Sequence, residues 1–147
     1  MVSSGSASTD PVPAPLPGEE LLDREFAHAD VTSIRHLLST AAGSAGLANQ
    51  SLDDFVLAVN ELVTNAVRHG GGTGRLRLWR ASEGLCCEVA DAGTGLPGDH
   101  PVGRERPRTD VAGGWGMWLA RRLSTAMSVT TGAAGTTVRI MVQLSEV

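Results

Sequence analysis

The chain has 147 residues, 41% of them apolar and 19% charged, which suits one globular domain with a real core and excludes a collagen-like or wholly disordered chain. Its 16 acidic residues outweigh 12 basic ones for a net charge of −4, so no basic excess points to nucleic acid. Every basic residue is Arg, and with no Lys in the sequence a bound nucleotide has to be held without a P-loop lysine. The two cysteines, Cys86 and Cys87, are adjacent. They make neither a disulfide framework nor a metal-binding CxxC pair, and on a strand they would point to opposite faces. The first 30 residues hold neither a basic segment nor an apolar run, and nothing approaches the ~18 apolar residues of a membrane span. A cytoplasmic protein is expected.

Residues 1–20 are rich in Ser, Pro and Gly, with Pro11, Pro13, Pro15 and Pro17 spaced by two. Such a composition buries too little surface to offset chain entropy. A disordered, solvated tail is therefore expected, followed by a domain over 21–147; the alternative is a PxxP-type ligand. Residues 21–27 read as a short edge strand. Asp30 is a good N-cap for a helix over 31–42, in which Val31, Ile34, Leu37, Leu38, Ala41 and Ala42 recur at helical spacing before Gly43 and Gly46. A second helix starts at Ser51-Leu52-Asp53-Asp54, an acidic capping box, and carries an apolar stripe from Leu52 through Phe55, Val59, Leu62 and Val63 to Val67 before Gly70-Gly71-Gly72.

Past those glycines the period changes to two. Leu76 and Leu78, then Leu85, Cys87 and Val89, alternate about a turn at 82–84 and predict an antiparallel hairpin. Residues 96–113 have no period; they hold Pro97, Pro101 and Pro107 and the triplet Arg104, Arg106 and Arg108. So long a connection inside a compact domain is usually functional or mobile. A short helix over 115–124 and a closing hairpin of 127–131 with 136–142 complete the chain. The expected fold class is α+β, a two-layer sandwich of a mixed, mostly antiparallel sheet with helices on one face.

Four pieces of this chain could carry chemistry. On the second helix Glu61 and Asn65 lie one turn apart, with Arg68 and His69 a further turn along. An amide oxygen can ligand Mg²⁺ while a neighbouring carboxylate orients or deprotonates a nucleophile, although the same residues suit the solvated face of an amphipathic helix. Asp91-Ala92-Gly93-Thr94-Gly95 closes an apolar strand: an ionised Asp accepts from an exocyclic amine, and glycines let a flat ring lie against the backbone. Gly113-Gly114-Trp115-Gly116-Met117 immediately precedes a helix, where free N–H groups favour phosphate. Gly135-Thr136-Thr137 offers hydroxyls before the last strand, or is simply a hairpin turn.

In order and chemistry these pieces resemble the Bergerat-fold (GHKL) ATPases, which include gyrase, histidine kinases and mismatch-repair proteins. Residues 61–70 look like the family's N box, 91–95 like its first glycine box, 114–117 like the second and 135–137 like the third. The small size looks most like the bacterial anti-sigma-factor serine/threonine kinases, which hold a sigma factor and phosphorylate an anti-sigma antagonist. The resemblance implies ATP and Mg²⁺ as cofactors, with Glu61 as catalytic base and Asn65 as the Mg²⁺ ligand. It implies that Asp91 accepts from the adenine amine, that Gly93 and Gly95 shape that pocket, and that Gly114 and Gly116 admit the phosphates. His69, Gly113 and Met117 would join the nucleotide site, and Thr137 would sit near the base or its bridging water. Residues 96–113 would form an ATP lid. Partners would be ATP and ADP, a sigma factor and its antagonist, and a second copy in a homodimer, with no nucleic acid or membrane. Trp115 departs from the small or basic residue usual in the second glycine box, as does Met117 from Leu or Phe, which puts turnover in question more than binding. Two other functions remain: a non-catalytic ATP-gated binding module, and a detached catalytic domain of a two-component sensor kinase. His28 and His36 lack a surrounding helical hairpin and are expected to be ordinary surface residues.

Overall fold

The hairpin expected past the triple glycine is β2 (Thr73–Ala81) with β3 (Gly84–Ala90), antiparallel, Leu76 opposite Val89 and Leu78 opposite Cys87. This computed structural model describes residues 10–82, 84–93 and 115–144, with Trp115 by its backbone alone. The expected lid at 96–113, with Gly95, Gly113 and Gly114, lies outside the described residues. β1 (Glu20–Ala27) pairs with the free side of β2, while β5 (Gly135–Val142) pairs with β3 and β4 (Ala126–Gly132) takes the far edge, giving the order β1-β2-β3-β5-β4.

Each of these pairings is antiparallel, in keeping with the expected α+β sandwich on a mostly antiparallel sheet. The reason is the connections. Two helices, α1 (Val31–Ser44) and α2 (Asn49–His69), separate β1 from β2, so the chain re-enters the sheet in the opposite sense. β3 and β4 run the same way, but β5 lies between them.

The helical spacing produces the predicted stripes: Ile34, Leu38 and Ala42 are buried on α1, and Phe55, Ala58, Val59, Leu62, Val63 and Ala66 on α2. Their partners on the sheet are Phe26, Leu76, Leu78, Leu85, Cys87, Val89, Val138 and Ile140, which form one core with Met117 and Ala120 of α3 (Trp115–Leu123). Burying each Leu or Phe side chain stabilises by ~1.5–3 kcal/mol. Both helices are longer than expected. α1 runs through Gly43 instead of stopping there, and a Cβ at that position would make ordinary contact with Leu52 Cδ2 at 3.8 Å. α2 starts at Asn49, in the left-handed region at φ 55, with Ala48 as N-cap and no side-chain cap bond. The Ser51 capping box is therefore not formed; Asp54 instead accepts from Gln50 Nε2 at 2.7 Å. Asp30 does precede α1, but its carboxylate accepts from the Ala27 N–H at 2.9 Å, upstream of the helix.

The disordered tail expected over 1–20 is corrected for residues 10–19. Val12 is fully buried against Trp79, Cys86 and Met141 on the face of the sheet turned away from the helices. That cover is why β3 is buried along both faces from Gly84 to Val89. One aliphatic residue on an apolar strip, with Asp10 on Arg139 and the Glu19 carbonyl on the Arg80 N–H, anchors a segment whose composition reads as solvated. Residues 1–9 lie outside the described residues.

Candidate functional site

Asp91 follows the last residue of β3, where the strand leaves the sheet beneath α2. Its backbone N–H still donates to Thr136 O at 2.8 Å, extending the pairing with β5 by one step. Its Oδ1 accepts from the N–H groups of Gly93, at 3.0 Å, and Thr136, at 3.2 Å. These two donors fix the carboxylate and leave Oδ2 as the free acceptor, directed by the backbone rather than by a flexible side chain.

The glycines around Asp91 are there because nothing larger fits. Gly70, the C-cap of α2, has its N–H on Ala66 O at 2.7 Å, and a Cβ on it would run into the Asp91 carboxyl. A Cβ on Gly93 would come within 2.8 Å of Gly70 Cα. Gly135 packs equally close to the Asp91 carbonyl, in a backbone conformation at φ 130 that L side chains rarely adopt. The end of α2, the end of β3 and the start of β5 thus converge on bare backbone, a cradle that suits a flat ring beside a carboxylate acceptor.

Above the cradle, Leu62, Asn65 and Ala66 of α2, Val89 of β3, Asp91 just past it, Thr136 and Val138 of β5 and Met117 of α3 line one pocket. Met117 is 1% exposed and closes its far side. The space left is about 10 Å³, so α3 has to shift for a purine to enter. Glu61, on the same face of α2 as Asn65, stands against the first turn of α3: a Cβ on Gly116 would lie 2.9 Å from Glu61 Oε2. A side chain at 116 would push the Glu61 carboxylate aside, so Gly116 leaves that carboxylate its present place.

A far larger hollow, about 600 Å³, opens beside Asp91 between the ends of β1, β2 and β3. Its rim carries Glu25 and Asp30, and its one cation, Arg75, is engaged by Asp23 through two guanidinium hydrogen bonds. Among the described lining residues that balance disfavours phosphates.

Most of the expected site residues that are described gather at one place. Asn65, Asp91 and Met117 line the pocket, Gly93 donates to Asp91, and Gly116 lies beside Glu61. His69 is exposed at the end of α2. Thr137 is the exception and requires a correction: it pairs with Ala90 and Thr130 in mid-sheet, and strand alternation turns it to the face opposite Val138. Thr136 takes the position instead, 5% exposed, with its N–H on Asp91 and its hydroxyl 2.8 Å from that of Thr131. The signal was in the sequence, since Thr136 shares the face of the apolar Val138, Ile140 and Val142. Gly70 was read as a helix stop at the end of the N box and Gly135 as the first residue of the third glycine box, or of a turn, without a partner for either; both touch Asp91. His28 and His36 are exposed, as expected of surface residues.

Among the described residues no group of three or more His, Cys, Asp or Glu could hold a metal ion. A cation beside Asn65 would take its remaining ligands from phosphate and water, as Mg²⁺ does in nucleotide sites. No described helix is long and apolar enough to cross a membrane.

The histidine kinase-like ATPase domain matches residues 25–142. Among solved structures, the histidine kinase domain of the Erythrobacter litoralis EL346 blue-light activated histidine kinase superposes with TM-score 0.55 at 25% identity, over 79% of this chain and 64% of that one. The RsbU and RsbW domains of Rv1364c from Mycobacterium tuberculosis give TM-score 0.62 at 23% identity, over 91% of this chain and 34% of that one. The chain thus spans less than two thirds of the length of either structure. No curated protein sequence matched.

Proposed function

The chain belongs to the histidine kinase-like ATPase domain family, and on that premise we propose that it is a Mg²⁺-ATP-dependent protein serine/threonine kinase, cytoplasmic, that acts as an anti-sigma factor and phosphorylates an anti-sigma antagonist. The observation that carries the reading is the placement of Glu61: one turn from Asn65, which lines the pocket together with Asp91, and against Gly116 in the first turn of α3. Phosphoryl transfer needs little from a protein beyond positioning, charge stabilisation and one base, and this corner supplies a base and an amide ligand side by side.

In this reading Asp91 Oδ2 accepts from the adenine amine while Gly70 and Gly93 let the ring lie on backbone. Asn65 would hold the Mg²⁺, which would supply neutralising charge for the phosphates. Glu61 takes the proton of the acceptor Ser or Thr hydroxyl as that oxygen bonds to the γ-phosphorus and ADP departs. The similarity to a protein with an RsbW domain supports the choice of an anti-sigma antagonist as acceptor. The test is to incubate the purified chain with Mg²⁺-ATP and each antagonist encoded by the same genome. Phosphate on Ser or Thr is the expected outcome, and its absence from every antagonist defeats the kinase reading.

One observation favours a second reading. Because Met117 closes the pocket to about 10 Å³, adenine binding has to displace α3, and a nucleotide that moves a helix can gate a protein-binding surface without being turned over. Absence of transfer by the wild-type chain to every antagonist, together with sigma-factor inhibition by Glu61→Gln equal to wild type, distinguishes this module from the kinase.

A further inference from the structure

The face of the sheet turned away from the helices carries two rows of side chains across the strands. One is ionic: Arg77 meets Glu20 at 2.7 Å and Glu88 at 3.7 Å, and Arg139 meets Glu88 at 2.9 Å. The other is apolar: Trp79, Cys86 and Met141 are successive cross-strand neighbours on β2, β3 and β5. Residues 10–19 lie over both rows as a strap. Asp10 reaches Arg139 at 3.4 Å and Val12 packs on the apolar floor.

Little holds the strap. The Val12 N–H is used by the strap's own Asp10 carboxylate at 2.9 Å, and Pro11, Pro13, Pro15 and Pro17 have no N–H to donate. A backbone bond to the sheet forms at the downstream end, from Arg80 N–H to Glu19 O at 3.1 Å. Beneath it Trp79 is 0% exposed, yet its indole Nε1 has no hydrogen-bond partner among the described residues. Buried donors are normally paired, so the strap fills the shape of this face and leaves its chemistry incomplete.

We propose that this face is a peptide-binding groove, closed in cis by the chain's own strap, whose partner is an extended polypeptide segment of the strap's pattern. That segment places a carboxylate on Arg139, an aliphatic side chain two residues later on Trp79, Cys86 and Met141, and a backbone carbonyl on the indole N–H. The strap itself shows the first two groups to fit, and the unpaired indole names the third. Strap and partner compete for one site, the strap swinging about Gly18, whose φ of 85 marks the turn into β1.

The adjacent cysteines report on this opening separately from unfolding. Alternation along β3 puts Cys86 under the strap and Cys87 in the helix-covered core, both buried and neither in a disulfide. The full-length protein is treated with iodoacetamide at neutral pH and the modified sites are read by peptide mass spectrometry. Val12→Asp should speed modification of Cys86 by ~10- to 100-fold, from the lost burial of one aliphatic side chain, with Cys87 unchanged. Asp10→Asn, which keeps every apolar contact, should speed Cys86 by about 2- to 5-fold. A synthetic peptide of residues 10–18, in excess over either variant, should restore protection of Cys86 saturably, and the same peptide carrying Val12→Asp should not. The proposal is overturned if Cys86 in Asp10→Asn reacts no faster than in wild type, if it reacts only together with Cys87, or if the added peptide leaves its rate unchanged.

Discussion

β3 is buried on both faces, but the two covers differ in kind. On one side Leu85, Cys87 and Val89 meet two long helices and form the main core. On the other, Cys86 and its neighbours Trp79 and Met141 meet a single valine from a proline-rich segment. The helix-covered side continues beyond the strand into Asp91 and the candidate nucleotide pocket, so its rigidity positions chemistry. The strap-covered side ends in a row of ion pairs and carries no pocket of that kind. A single strand thus joins a structurally committed face to one whose cover is held by a few contacts, and the two should respond to substitution in different ways.

The sharpest test of that division is Glu61→Gln. It preserves shape and much of the hydrogen bonding but removes the proton acceptor, so phosphoryl transfer to the antagonist should fall by ~10²–10⁴ while ATP affinity and thermal stability stay near wild type. Val12→Asp, on the strap side, should leave transfer within about 3-fold, since remote, independent sites couple weakly. Radiolabelled phosphate transfer measured on both proteins decides it. If the strap variant loses as much transfer as Glu61→Gln, the two faces are not independent.

Stability gives the next largest contrast. Leu78 is 0% exposed on the helix-covered side, and Leu78→Ala should cost ~2–5 kcal/mol. Met141, 8% exposed on the strap side, has a cover able to collapse onto the space vacated. Met141→Ala should therefore fall at or below the lower end of that range. Urea denaturation of both variants measures the difference; equal losses would mean that the strap is as firmly packed as the helices.

How legible these faces were in the sequence follows from the same contrast. The helix side announced itself through long apolar stripes of period 3.6 on α2 and of period two on β2 and β3, and the glycine-bounded motifs placed Glu61, Asn65, Asp91 and Gly93 close to where the structure has them. Thr137 failed because the motif was read as a string rather than as a strand, in which Thr136 shares the face of Val138. The strap failed for another reason. Composition measures how much a segment can bury, whereas Val12 needed only one well-placed site, and that site exists only once β2, β3 and β5 are side by side. The Ser51 capping box was locally sound, yet α2 begins two residues earlier at Asn49 and leaves the box unformed.

A subtler effect tests the adenine acceptor. Asp91 Oδ1 is already engaged by two backbone N–H groups, so in Asp91→Asn the amide oxygen takes that position and the NH₂ group replaces Oδ2. The free acceptor becomes a donor facing the adenine amine. A polar group left unpaired in a closed pocket costs ~1–3 kcal/mol, about 5- to 150-fold in affinity. Calorimetry should show ATP weakened to that extent with the fold intact, and wild type preferring ATP over GTP by a similar factor. Equal affinities for ATP and GTP would remove Asp91 from the role of base-reading acceptor.

The smallest effect is expected at the sheet's exposed edge, where β1 meets β2. The hydrogen bond from Arg75, aided by the nearby charges of Arg75, Arg77 and Arg24, holds the Asp23 carboxyl below its ordinary value despite slight desolvation. A carboxylate whose pKa is lower in the folded protein contributes stability that is fully present above its unfolded value, about 3.9, and is lost as pH falls through the folded value. The pair is solvent-exposed, with the Arg75 side chain 53% accessible, so water and salt screen most of it. Asp23→Asn should accordingly lower the melting temperature only slightly at neutral pH, and the gap from wild type should close on acidification below about pH 4 and shrink in high salt. Melting curves from pH 7 to pH 2 at two salt concentrations test this. A gap that persists in acid would mean that Asp23 contributes through packing at this edge rather than through its charge.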